Sequence, residues 1–334
     1  MADSALKKLL YPISGCFALG SYLRWKLYRW GILPTKDSGA PVISVGNLAA
    51  GGTGKTPCTI RLAKALKGRG YSPVVLTRGY RRSSKERFIS FGDDPGAALA
   101  GDEPALMSRK MPEIPIVVHA DRHGSIEEIG ADEGRVFILD DGFQRLRLKR
   151  DFDLVLLPAE DPFSGGAFLP VGGLRDGTWR LPEADALLSV GGGDIPELRF
   201  KAPGVPVFSA RKIPLGLENL RGDSISAESL PEKRVVAFAG IANPSSFARS
   251  LEEMGFEVAA MVKFRDHHPY SPEDIRKVES RAEEVNADLL VTTEKDAVRL
   301  SGVETRLQTL VLKIGFEIGR ENELLDLIEE KISG

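Results

Sequence analysis

The chain has 334 residues, 42% hydrophobic and 28% charged, which is enough for two domains with proper cores and describes an ordinary soluble-type protein. A formal net charge of −2 gives no global pull toward nucleic acid, so no nucleic-acid partner is expected. The two cysteines, Cys16 and Cys58, lie far apart and read as free thiols, and with only four histidines a histidine-rich metal site is excluded.

From Leu9 to Leu23 the chain is uncharged and mostly apolar, too short to span a bilayer, and interrupted by Pro12, Gly15 and Gly20. It runs into Tyr22-Leu23-Arg24-Trp25-Lys26-Leu27-Tyr28-Arg29-Trp30. Aromatic rings interleaved with cations suit a lipid headgroup boundary, where lysine and arginine stems snorkel. Residues 9–30 are therefore expected to form an interfacial helix that meets a membrane surface. A helix packed on its own domain is the competing expectation.

The apolar run Val42-Ile43-Ser44-Val45 leads into Gly51-Gly52-Thr53-Gly54-Lys55-Thr56, and helical spacing follows at Ile60, Ala63 and Leu66. Strand, glycine turn, Lys-Thr and helix form the arrangement that binds nucleotide phosphates. The glycines let backbone N–H groups converge on phosphate oxygens, and the helix N-terminus adds partial positive charge. Lys55 is placed to neutralise β- and γ-oxygens and Thr56 to ligate Mg²⁺. The loop is a variant, because Ala49 stands where the full pattern has its first glycine.

Further apolar runs at Pro73–Leu76, Ile114–Val118, Val136–Leu139, Leu154–Leu157, Ala186–Val190 and Val205–Phe208 lack clean alternation, which predicts strands buried on both faces of a largely parallel sheet. Helices are predicted over 55–68 and 103–110. A linker is expected over 213–230, and then a second α/β series begins. Strands are predicted over 234–239, 256–264, 287–292 and 309–314, and helices over 244–254, 272–285 and 321–332. Asn243-Pro244 and Ser271-Pro272 supply the N-cap and first-turn proline of two of these helices. The expected fold is α/β with two α/β/α sandwich domains, the first P-loop NTPase-like.

Five segments carry chemistry. Asp140 and Asp141 end the strand at 136–139, where P-loop proteins hold Mg²⁺; Asp140 is read as the metal-side residue and Asp141 as its support. In Gly101-Asp102-Glu103-Pro104, Asp102 is either the cap of the following helix or a general base for an acceptor hydroxyl. In Asp266-His267-His268, a second-domain loop, His267 can pair with Asp102 if the domains face each other. Arg78, in Thr77-Arg78-Gly79-Tyr80-Arg81-Arg82, lies at the carboxyl end of a strand and suits a phosphorylated substrate, while the charge run taken alone reads as a solvated basic loop. Arg175, in the glycine-rich loop 169–176, either acts on transferring phosphoryl charge or is a surface arginine.

Taken in order, SVGNL before GGTGKTP, LTRGY, GDEP, LDDGFQ, LR, DHH and TEKDA resemble the tetraacyldisaccharide 4'-kinase family of lipid A biosynthesis over residues 40–300. The resemblance implies a kinase that moves the γ-phosphoryl of ATP to the 4'-hydroxyl of a tetraacylated glucosamine disaccharide 1-phosphate, giving lipid IVA, with ATP and Mg²⁺. It implies a membrane-associated helix over 1–35, a kinase domain over 36–212, a β linker over 213–230 and a C-terminal α/β domain over 231–334. Its place would be the cytoplasmic face of the inner membrane, peripheral or monotopic. Asp102 and His267 then form a catalytic dyad, and Lys55 and Arg175 contribute to catalysis. Arg78, Tyr80, Glu103, Arg122 and Gln144 fall on the substrate side. Three positions differ from the family's usual pattern, Arg145 in place of histidine and Asp176-Gly177 in place of Glu-Pro. The competing functions are a P-loop kinase for a soluble small acceptor and a P-loop NTPase switch. The switch lacks its guanine-reading asparagine, since the nearest string is Thr293-Glu294-Lys295-Asp296.

Overall fold

The computed structural model describes residues 2–79, 82, 84, 86–90, 92, 99–230, 233–300 and 302–333. Helix α1 (Ala2–Arg29) precedes β1 (Val42–Asn47), α2 (Lys55–Gly68), β2 (Ser72–Thr77), β3 (Phe88–Ser90), α3 (Asp102–Lys110), β4 (Ile116–Val118), α4 (Arg122–Ile129), β5 (Arg135–Asp140), β6 (Phe152–Pro158), β7 (Ala186–Val190) and the one-turn α5 (Leu198–Lys201). The long strand β8 (Val207–Asn219) and the short β9 (Ser224–Ile225) lead into β10 (Arg234–Ala239), α6 (Pro244–Glu253), β11 (Glu257–Lys263), α7 (Pro272–Glu284), β12 (Leu289–Thr293), α8 (Glu294–Arg299), β13 (Gln308–Ile318) and α9 (Glu321–Ser333).

All the strands form one sheet, ordered β11-β10-β12-β13-β8-β7-β6-β1-β5-β2-β4-β3, with β9 paired to β8. Pairing is parallel except at β8–β13, β3–β4 and β8–β9. The two helix-covered halves meet at β8 and β13, which run antiparallel from Ala210 opposite Ile318 to Asn219 opposite Leu310. Residues 213–230, expected to link two domains, hold the end of β8, β9 and a 3₁₀ turn. The β8–β13 register slips between Lys313 and Ile314, opposite Pro214. Proline offers no N–H to the ladder, so an irregularity is the expected outcome there.

The strands of the first half are buried on both faces, which is why their sequences do not alternate. Ile43, Val45, Val136 and Ile138 pack with α2 residues Cys58, Leu62, Ala63 and Leu66. Val42, Phe137, Leu139 and Leu76 join Ile126 of α4 on the opposite face. Both β1 and β5 thus bury alternate residues into two separate cores, and their carboxyl ends emerge side by side, Val45 opposite Asp140.

Helix α1 packs one face on its own domain and leaves the other exposed. Its docked face is pinned by Ser14 Oγ donating to the Phe168 carbonyl at 2.7 Å, Ser21 Oγ to Asp176 Oδ1 at 3.0 Å and Trp25 Nε1 to Glu183 Oε2 at 2.7 Å. Its other face leaves Leu9, Tyr11, Ile13, Leu19, Leu23 and Trp30 exposed. Among the described residues no helix is long and apolar enough to cross a membrane.

Candidate active site

The phosphate cradle starts where β1 ends. Gly54 caps α2 at φ +89°, a left-handed conformation that L side chains rarely adopt. A Cβ there would also lie 3.2 Å from the Phe316 ring. No side chain caps α2, so its first-turn N–H groups remain available to an anion. Asn47, the last residue of β1, organises the loop. Its Nδ2 donates to Thr53 Oγ1 at 2.9 Å, and its Oδ1 accepts from Lys55 Nζ at 3.3 Å and Arg175 Nη2 at 2.6 Å.

Asp140 and Asp141 end β5 beside this loop, in different environments. Asp140 is buried, accepting at 3.4 Å from the Thr59 hydroxyl and at 3.2 Å from that of Thr77. Burial, reinforced by Glu103 and Asp141, pushes its carboxyl up to about 7. Asp141 has a left-handed backbone, φ 56°. Burial would raise its carboxyl, but the bidentate Arg175 contacts at 2.7 and 2.8 Å and Lys55 at 3.5 Å hold it well below the usual range.

No group of three or more His, Cys, Asp or Glu among the described residues makes a metal site by itself. A magnesium site needs only one or two protein oxygens, because nucleotide phosphates and water complete its shell. A buried hydroxyl, Thr56, and a buried carboxyl with a raised pKa, Asp140, are donors of that kind, so the residues present fit a Mg²⁺-nucleotide.

The Asp102–His267 pair is assembled from both halves. Gly101, not Asp102, occupies the cap position of α3, and no side chain caps that helix. Asp102 is the first helical residue, and its Oδ2 lies 2.6 Å from His267 Nδ1 across the cleft. His267 has φ 60°, rare for a residue with a Cβ and a form of strain found at functional sites. Its loop presses on Gly240, where a Cβ would fall 2.8 Å from the Arg265 carbonyl oxygen. Glu103 pairs with Lys295 at 2.6 Å; burial raises the Glu103 carboxyl, and the Lys295 charge pulls it below its ordinary value.

The residues that the family resemblance put on the substrate side are mostly basic. Arg122 opens α4 behind an Asp121 cap and donates to the His119 carbonyl. Burial, with repulsion from Arg145 and Arg78, lowers its guanidinium to about 10. Arg145 is lowered in the same direction, by burial and by Arg78. Gln144 donates Nε2 to the Asn47 carbonyl at 2.8 Å, and its Oε1 is buried without a partner among the described residues. Arg78 is exposed just past β2, and Tyr80 lies outside the described residues. Asp176 does not face the site; Arg180, Ser21 and the Gly177 amide take up its oxygens, tying the Arg175 loop to α1.

Sequence reasoning assigned no role to Asn47, Thr59, Thr77, Lys295, Asp296 or Arg299. Asn47 stands immediately after the apolar core of β1, a position from which a polar side chain reaches the loop. The other signal was the Thr293 cap: Thr293 Oγ1 pairs with Asp296 at the start of α8, which turns Lys295 and Arg299 toward α3.

A Lys-Thr helix start between parallel strands, with an aspartate ending the neighbouring strand, defines the P-loop nucleotide-binding class of α/β proteins. The family model described as tetraacyldisaccharide-1-P 4'-kinase matches residues 6–333, and the chain belongs to that family. It is 37% identical over 331 residues to a tetraacyldisaccharide 4'-kinase of Pelobacter propionicus, covering 95% of this chain and 90% of that one. A tetraacyldisaccharide 4'-kinase of Geobacter metallireducens is 39% identical over 318 residues, 92% of each chain. A crystal structure of LpxK from Aquifex aeolicus in complex with ATP superposes with a TM-score of 0.79 at 31% identity, covering 98% of this chain and 99% of that one.

Proposed function

We propose that this chain transfers the γ-phosphoryl of ATP to the 4'-hydroxyl of a tetraacylated glucosamine disaccharide 1-phosphate, forming lipid IVA. The observation that carries this reading is the Asp102–His267 contact at 2.6 Å, which brings a carboxylate–imidazole pair into the cleft above a P-loop. Glu103, next to Asp102, senses the charge of Lys55, so the two clusters share one electrostatic environment.

In this mechanism the first-turn amides of α2 and Lys55 hold the β- and γ-phosphates. Thr56 and Asp140 hold Mg²⁺, with Asp141 in support; when bound, the ion neutralises charge on the phosphate oxygens. Asp102, oriented by His267, takes the proton of the attacking hydroxyl. Arg175 and Lys55 stabilise charge on the moving phosphoryl group, and Asn47 fixes both side chains beforehand. Arg78, Arg122 and Gln144, with Tyr80, receive the phosphorylated disaccharide, and Glu103 sits beside the acceptor hydroxyl.

A cavity of about 260 Å³ lies between α1 and this site, lined in part by Phe17, Gly20, Gln144 and Arg175. It leads from cationic groups to an apolar helix face, which suits an acceptor with acyl chains. The exposed face of residues 9–30 rests on the cytoplasmic surface of the inner membrane, where such an acceptor resides. The division into units of 36–212 and 231–334 is part of the same reading, with β8 and β13 as the hinge between them.

The test is phosphate transfer from γ-labelled ATP to the acylated disaccharide 1-phosphate, with product analysis, against soluble sugar acceptors. Label on the 4'-oxygen of the lipid alone supports the proposal. Equal labelling of soluble sugars points to the soluble-acceptor kinase, and release of inorganic phosphate without transfer points to the switch.

A further inference from the structure

We propose that Arg299 is a positioning residue for this reaction: carried by α8, it fixes the Asp102 carboxylate so that one oxygen is occupied and the other takes the proton. The inference rests on Asp102 being the base. Arg299 Nε lies 3.0 Å from Asp102 Oδ2, the same oxygen that His267 Nδ1 approaches at 2.6 Å. Oδ1 has no hydrogen-bond partner among the described residues. Two groups converging on one oxygen define the orientation of the carboxylate; either alone would leave a range of rotations.

Arg299 can hold Asp102 because it is itself held. Its side chain is 7% exposed. Nη1 donates to the His268 carbonyl at 3.1 Å and lies 3.3 Å from Asp296 Oδ1. Asp296, fully buried, is fixed by the Gly240 amide at 3.0 Å, the Tyr270 hydroxyl at 2.8 Å and the Thr293 hydroxyl at 2.6 Å. The guanidinium thus transmits the frame of β10 and β12 to a side chain in the other half. Among the described residues only the Nη1 contact with the His268 carbonyl is a hydrogen bond; Asp102 and Asp296 are held as ion pairs, and a lysine's one compact charge cannot lie close to all three groups at once.

The same helix docks the halves around this contact. Val298 packs on Ala105 and Leu106 of α3. Lys295 meets Glu103, and Lys110 donates to Glu294 Oε2 and the Ile314 carbonyl. Placing Asp102 is therefore coupled to closing α3 on α8.

The experiment uses the full chain with Mg²⁺-ATP and detergent-dispersed acylated disaccharide 1-phosphate, and reads kcat and KM for ATP separately. Arg299→Ala is expected to lower kcat by about 10²-fold, the cost of a misplaced reacting group, with KM for ATP unchanged. Guanidinium chloride at sub-denaturing concentration is expected to restore part of the loss, and Arg299→Lys to give an intermediate kcat. In an Asp102→Asn background the same substitution is expected to cost almost nothing more, since a group acting through Asp102 is non-additive with it. An unchanged kcat, or the same fold-loss in both backgrounds, overturns the proposal. If Arg299→Ala does not fold, Arg299→Lys decides: a folded variant with the parent kcat overturns it. Parent-like turnover in Asp102→Asn alone is a different failure, that of the base assignment.

Discussion

The phosphate cradle and the Asp102–His267 pair are electrostatically linked through Glu103 but are built in opposite ways. The cradle is local: Asn47, the glycine turn and Lys55-Thr56 come from ten consecutive residues, and half of its chemistry is backbone geometry at Gly54 and the start of α2. The pair is remote: Asp102 and His267 are 165 residues apart and meet only because α8 docks on α3. A local site survives small shifts between the halves, whereas a remote one is made and unmade by them. In the proposed mechanism phosphate binding can therefore precede closure, while proton removal waits for it, which is one route to suppressing wasteful hydrolysis.

The largest effect is expected on the local side. Lys55→Ala removes a fixed cation from the transferring phosphoryl and also loosens Asn47 and Asp141, so kcat should fall about 10³-fold, with circular dichroism and Tm unchanged. A loss below tenfold would mean that Arg175 carries the charge alone. Next comes the pair. Asp102→Ala should lower kcat by about 10²-fold or more, His267→Ala by less, and the double variant no further than Asp102→Ala. Additive losses would show that the two residues act independently and that the contact is merely structural.

A third contrast separates the faces of α1. Replacing exposed Leu19 and Leu23 with serine should weaken co-sedimentation with anionic vesicles while turnover on detergent-dispersed acceptor holds. Both residues point away from the docked Ser14, Ser21 and Trp25. Unchanged sedimentation would return α1 to being a packed helix and nothing more.

The same contrast explains what was legible in the sequence. The cradle, the strand-ending Asp140 and the capped helices α6 and α7 are recorded in contiguous residues, because caps, glycine turns and buried runs act within one turn or strand. The Asp102–His267 contact was open as one of two readings, since spacing alone does not say which surfaces meet. Past Lys212 the residues alone read as a linker and only the family resemblance implied β structure, because Pro214, Gly216 and the polar residues after it resemble loop chemistry; the long partner β13 overrides that local preference. Arg299 was missed because its partners, Asp102, Asp296 and the His268 carbonyl, lie in three separate segments.

The smallest expected effect tests whether the His267 loop depends on its own scaffold. Asp274 completes a capping box with Ser271 at the head of α7 and also accepts from His268 Nε2 at 3.1 Å. The Ser271 hydroxyl and amide hold its carboxyl down to about 2, below the ordinary 3.8. Because the folded value is the lower one, the stabilisation is complete above the ordinary value and is lost as pH falls through about 2. Asp274→Ala removes a cap worth about 1 kcal/mol, so Tm at neutral pH should drop by about 2 °C. The gap to the parent should narrow as pH is lowered from about 5 toward 3, because the unfolded parent protonates Asp274 there while the folded one still holds it ionised. Turnover should barely change, because the Gly240, Asp296 and Arg299 contacts still place His267. A large loss of kcat with only this small loss of Tm would shift the positioning of the remote pair from α8 to the cap of α7.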